Sequence, residues 1–184
     1  MAKKKLFLQL YMPSIILTAF VLFALAFFSI KAIENFYYRQ VSNDLQDFAR
    51  LLEEPICDFL ANKDFTELGN YCKKQGQLVK KRVTVVLPEG IVVAESNRSV
   101  RGMESHKDRV EIVGALRDGN FSSTRPSGTE NADTMYYATR ISYGENDFAV
   151  LRTSLTLMSV DKVFNNILSK ITLGAMIAIV VMAI

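Results

Sequence analysis

The stretch RVTVVLPEGIVVAES, residues 82–96, decides how this chain folds. Two β-branched runs, Arg82 to Leu87 and Ile91 to Ser96, flank Pro88-Glu89-Gly90, and a Pro-x-Gly turn between such runs is a hairpin signal. Upstream of it the period is helical. Ile33, Tyr37, Val41, Leu45, Phe48, Leu52, Ile56 and Phe59 recur at steps of three or four, which predicts a helix with one apolar stripe. Pro55 is expected to kink or break that helix, and the stripe is either domain core or a dimer seam. Asp64 to Gln75 reads as a second helix, with Phe65, Leu68 and Cys72 on one side and Gly76 as its stop.

Downstream, Asp108 and Glu111 have capping-box spacing and open a short helix through Ile112, Val113 and Leu116 that ends near Gly119. Three further strands are expected at Asn120 to Arg125, Thr134 to Ser142 and Phe148 to Leu155, with a loop cluster over Pro126 to Asp133. Helices on one side of a five-stranded antiparallel sheet make an α+β domain.

Working further outward, the 184 residues are 49% hydrophobic and 22% charged, a balance that excludes a disordered tail or a disulfide-dense miniprotein. The apolar residues concentrate at the ends. No Lys, Arg, Asp or Glu occurs in Leu6 to Ile30 or in Ile171 to Ile184. Residues 6–30 would extend about 37 Å as a helix at about 1.5 Å per residue, enough to cross a bilayer core of about 30 Å. Lys3, Lys4 and Lys5 predict a cytoplasmic N-terminus, which puts everything from Lys31 onward outside. A cleaved signal peptide is the rival, since Ala24-Leu25-Ala26 matches the small-x-small pattern; both readings export the middle of the chain. The 14 residues from Ile171 are too short to span, so a second membrane helix is expected to continue into a longer, cytoplasmic polypeptide. With three lysines in the tail, the 19 remaining basic residues balance the 19 acidic ones, and that neutrality argues against a nucleic-acid partner.

The expected organisation is therefore a tail (1–5), a first membrane helix (6–30), an exported domain (31–156), a connecting helix (157–170) and the start of a second membrane helix (171–184). In the connecting helix Leu157, Val160, Phe164, Ile167 and Ile171 recur at heptad-like steps. Such a helix can carry a small shift or rotation across the bilayer, or it can simply pack on its own domain.

Within Arg82 to Leu155 the runs VTVVLPEGIVVAES (83–96), MESHKDRVE (103–111), ALRDG (115–119), STR (123–125) and MYYA (135–138) resemble the extracytoplasmic PAS-like, Cache-type sensor domain of bacterial membrane sensor histidine kinases, particularly the phosphate-regulon type. The resemblance implies a PAS/Cache-like five-stranded antiparallel sheet with a long N-terminal helix, between two transmembrane helices of a bacterial inner-membrane protein. It further implies a homodimer, a response regulator as partner, and a kinase part beyond Ile184 that uses ATP and Mg2+; no cofactor is expected in these 184 residues. Related sensor domains serve chemoreceptors and diguanylate cyclases, which keeps those outputs open beside a membrane-tethered interaction or structural domain.

Candidate chemistry is sparse, and no catalytic residue or metal set is evident. His106 is the single histidine, so no His-containing triad and no His/Cys zinc set can form within the chain. As an exported residue it would not meet the cytoplasmic ATP that a phosphoacceptor needs. It is either a structural loop histidine or part of a basic loop with Arg98, Arg101, Lys107 and Arg109 beside a helix N-terminus, a setting for a small anionic or carboxylate ligand. Arg125, Tyr136 and Tyr137 could complete that pocket, with one tyrosine facing inward by strand alternation. The alternative is a solvated charged surface. Lys73, Lys74, Lys80, Lys81 and Arg82 read as a solvated helix end or a contact for anionic headgroups, and Cys57 and Cys72 as either bonded or free thiols in an oxidising compartment.

Overall fold

The structure is a computed structural model that describes residues 2–126, 133–145, 147–157 and 169–170. The connecting helix beyond Leu157, the second membrane segment and most of the 126–133 loop lie outside the described residues. The chain divides into two compact units, one containing Met1–Tyr38 and the other Arg39–Ser159.

Helix α1 runs over Ala2–Ala61. It contains a stretch long and apolar enough to cross a membrane, with Phe20, Leu22, Phe23 and Phe28 exposed. In the Arg39–Ser159 unit the same helix presents its stripe inward: Val41, Leu45, Phe48, Leu52 and Ile56 are buried. From Val41 on, the stripe is core. The opposite side there carries Asn43, Asp47, Arg50 and Glu54, with Leu51 the one large exposed apolar side chain among them. Of the two outcomes expected at Pro55, the break does not occur: α1 is continuous through it. An internal proline costs about 3 kcal/mol through a lost bond and a clash with the carbonyl four residues back. That carbonyl belongs to the exposed Leu51, while Leu52, Ile56 and Leu60 hold the following turn by burial.

Helix α2 spans Phe65–Val79, and the Asp64 carboxylate caps it by accepting from the Glu67 N–H at 3.1 Å. It does not stop at Gly76; it ends at Lys80, which adopts a left-handed φ of 54°. Gly76 is there for proximity, since a Cβ at that position would lie 2.7 Å from Ser96 Cβ and 2.8 Å from the Lys81 carbonyl.

The sheet comprises β1 (Arg82–Val86), β2 (Val92–Glu95), β3 (Asn120–Pro126), β4 (Asp133–Ser142) and β5 (Phe148–Thr156), all antiparallel, in the order β2-β1-β5-β4-β3. The 82–96 hairpin forms as expected, closed by Gly90 N–H donating to the Leu87 carbonyl at 2.8 Å. Gly90 has a φ of +89°, and its carbonyl receives the His106 N–H at 2.9 Å, so the tip of the hairpin positions the 99–109 loop.

Helix α3 covers Val110–Asp118. Its N-cap is Arg109, without a side-chain cap bond, so the expected Asp108–Glu111 capping box does not form. The Glu111 carboxylate turns inward instead, to the guanidiniums of buried Arg152 and partly exposed Arg125. Helices also occupy both faces of the sheet rather than one. Thr153 Oγ1 donates to the Leu45 carbonyl of α1 at 3.0 Å, whereas the neighbouring Arg152 reaches Glu111 of α3 on the other side. On that second face Ile112 and Ala115 pack with Val86, Val92, Ala138 and Val150. The α+β class with a long N-terminal helix and a five-stranded antiparallel sheet is thus realised, with α3 as the exception to the one-sided arrangement.

Candidate functional site

Directly opposed residues in an antiparallel ladder project to the same face, so the register lays out the site row by row. One row, across β1, β5, β4 and β3, is Arg82, Ser154, Tyr136 and Ser123. The next holds Glu95, Thr84, Arg152 and Ala138, and a third holds Thr156, Thr134 and Arg125. All belong to the face that carries α3. Three arginines and two carboxylates are therefore brought together from five elements.

Their pairing is specific. Arg82 donates to Glu95 through Nε at 2.8 Å and Nη2 at 2.9 Å, and Thr84 Oγ1 donates to the same carboxylate at 2.9 Å. Glu111, fully buried, accepts from Arg152 Nη1 at 3.0 Å and Arg125 Nη2 at 3.1 Å. Arg152 continues through Nη2 to Thr84 Oγ1 at 3.2 Å, so the two clusters form one network. The Arg125 guanidinium lies over the Tyr136 ring at 4.3 Å and that of Arg152 at 5.3 Å, so the negative face of the ring attracts both cations. Burial alone would raise the Glu111 pKa, but the Arg125 bond and the fields of both arginines outweigh it and hold the carboxyl below its ordinary value. The nine-tenths-buried Arg152 is pushed down by desolvation, against the pull of Glu111.

Beside Tyr136 lies a cavity of about 200 Å³, below the roughly 300–1,000 Å³ of pockets for drug-sized ligands. Its walls include Lys80, Arg82, Asn97, Thr134, Tyr136 and Ser154. Ammonium, guanidinium, amide and hydroxyl groups against an aromatic ring match a small ligand bearing a carboxylate.

His106 is buried, and its Nδ1 makes no hydrogen bond among the described residues. Burial first, then the fields of Arg152, Arg109 and Arg82, push its pKa down to about 4, against the opposing pull of Glu95. It is neutral at physiological pH. Of the residues singled out from the sequence, Tyr136 walls the cavity and Arg125 lies over its ring, His106 sits within the field of Arg152, and Arg109 forms the half-exposed N-cap of α3. Arg101 lies in an exposed turn, its N–H on Ser99 Oγ at 3.3 Å. Tyr137 projects to the other face, buried in the fields of Arg50 and Glu53 of α1. Sequence reasoning missed Arg152, Glu95 and Asn97, assigned Glu111 to a helix cap, and read Lys80 and Arg82 as a solvated helix end or a headgroup contact. The available signal was a charge inside an apolar strand, as in FAVLRTSL and IVVAES, since such charges are almost never buried unless paired.

Cys57 and Cys72 are both free; Cys57 Sγ donates to the Ser142 carbonyl at 3.4 Å, and burial pushes the Cys72 thiol up to about 12. Among the described residues no group of three or more His, Cys, Asp or Glu is placed to hold a metal ion.

No family model matches the chain, and no curated protein matches it. Among solved structures, the ligand-binding domain of the Campylobacter jejuni chemoreceptor Tlp3 in complex with 4-methylisoleucine is similar at a TM-score of 0.56 and 18% identity, covering 69% of this chain and 55% of that one. The Escherichia coli DcuS sensor domain is similar at 0.52 and 17%, covering 69% of this chain and 96% of that one. The sensor domain of the Vibrio cholerae histidine kinase DctB follows at 0.51 and 12%, covering 68% and 60%. The chain spans little more than half the length of the chemoreceptor domains it matches. The shared fold is that of Cache-like sensor domains. None of these neighbours is of the phosphate-regulon type expected from the sequence runs, so the resemblance holds at the level of the fold.

Proposed function

We propose that this chain is the signal-sensing and transmembrane part of a bacterial inner-membrane receptor, binding a small carboxylate-bearing ligand on the α3 face of its sheet. The cavity walled by Lys80, Arg82, Asn97 and Tyr136 is the observation that carries this reading. The fold shared with chemoreceptor and histidine kinase sensor domains supports it, as does the exposed apolar stretch of α1. Ligand binding would shift β5, whose sequence continues into the heptad-like run 157–171; a homodimer seamed there would carry the shift to a cytoplasmic output.

Between outputs, we favour a histidine kinase working with a response regulator, ATP and Mg2+, because the 83–138 motif runs resemble that family; a chemoreceptor or diguanylate cyclase is the alternative. The test is a thermal-shift screen of small carboxylates and amino acids on the 184-residue chain in nanodiscs. At least one compound should raise the melting temperature, and Arg82→Gln and Tyr136→Ala should abolish the shift. Equal shifts in wild type and both variants would rule out this cavity.

A further inference from the structure

The charges of the site are unequally shared. Among the described residues Arg82, Arg125 and Arg152 face two carboxylates, Glu95 and Glu111. Glu95 binds Arg82 in a two-point fork, so the third cation is served by Glu111, which holds two guanidiniums at once. These two are not equivalent. The Arg152 side chain is 2% exposed, and taking it from Glu111 would strand a cation in the interior. Arg125 is 26% exposed, and its two contacts with Glu111 are 3.1 and 3.5 Å. If Arg125 turns away, Glu111 is still neutralised by Arg152. Arg125 is thus the movable member, on edge strand β3, and it already lies across the ring that walls the cavity. A guanidinium carries five N–H donors, and Glu111 engages Arg125 through Nε and Nη2, which leaves the two N–H groups of Nη1 outside that pairing.

We propose that Glu111 is an internal counter-ion that competes with the sensed carboxylate for Arg125 and so sets the affinity of the site. This rests on the ligand-binding reading above. Glu111 lies in the first turn of α3, so transfer of Arg125 from Glu111 to the ligand loosens one of the ties between that helix and the sheet. Binding and helix release are then one exchange of carboxylates.

The test uses the full chain in nanodiscs, titrated with sodium acetate against sodium chloride at equal ionic strength. Glu111→Gln keeps a carbonyl acceptor for Arg152 and removes the competing charge, so acetate should bind about tenfold more tightly, the scale of one charge-assisted hydrogen bond. Adding Arg125→Gln should cancel the gain. In wild type the Arg125 side-chain nitrogen signals should move with acetate while those of Arg152 stay fixed. An unchanged dissociation constant in folded Glu111→Gln, or no acetate binding in either protein, overturns the proposal. If that variant does not fold, unmoved Arg125 signals in wild type overturn it. The cavity reading fails separately: wild-type carboxylate binding indifferent to Arg82→Gln and Tyr136→Ala sinks that reading, whereas sensitivity to those variants with a neutral Glu111→Gln removes only the competition.

Discussion

Acidification from pH 7 to pH 5 should destabilise the sensor unit, and His106 is the reason. In the unfolded chain a histidine titrates near 6.5, whereas here burial and the fields of Arg152, Arg109 and Arg82 place it at about 4. A depressed histidine favours folding only while it is neutral. Its contribution is complete above pH 6.5 and is lost as pH falls from 6.5 toward 4, because the unfolded chain takes up the proton first. For a shift of that size, moving from pH 7 to pH 5 costs about 2 kcal/mol of folding free energy. Over the same interval the Glu111 carboxyl, held below its ordinary value, stays ionised and adds little. Protonated Nδ1 would also become a buried donor with no partner among the described residues, a penalty of the same sign. The assay is urea unfolding followed by circular dichroism at pH 7, 6 and 5, for wild type and His106→Gln. Wild type should lose about 2 kcal/mol while the variant stays nearly flat. Parallel profiles in the two proteins would refute the assignment, and a wild-type curve rising toward pH 5 would mean that His106 gains a carboxylate partner on protonation.

Three other outcomes follow from the packing. Glu111→Ala should cost about 3–5 kcal/mol in chemical unfolding, since it leaves buried Arg152 without its counter-charge, whereas Asp118→Ala, which breaks an exposed pair with Arg117, should leave the midpoint unchanged. Gly76→Val should lower stability by about 1–3 kcal/mol, because the new side chain meets Ser96 and the Lys81 carbonyl; a neutral midpoint would mean that α2 can move off β2. Thiol titration without reductant should find two thiols after unfolding, with Cys72 unreactive in the folded chain; one missing pair of thiols would reveal a disulfide.

The amino-acid sequence determined the elements, because their signals are local. The hairpin at 82–96, the three later strands and the apolar stripe of α1 are each written in residues close together in the chain, and their observed bounds differ from expectation by a residue or two. The tertiary structure decided which partner each polar group takes. Glu111 has capping-box spacing along the chain, yet Arg152, 41 residues away, takes it, since a buried Arg152 without its counter-charge would cost more than a missing helix cap. Tyr136 and Tyr137 are adjacent and equivalent in sequence; only the register of β4 against β5 assigns one to the cavity and the other to α1. Pro55 reads as a kink or a break, and burial of Leu52, Ile56 and Leu60 keeps the helix continuous there. Period and turn chemistry act over a few residues, whereas charge pairing and burial depend on what the fold places at 3 Å, which a single strand of text does not contain.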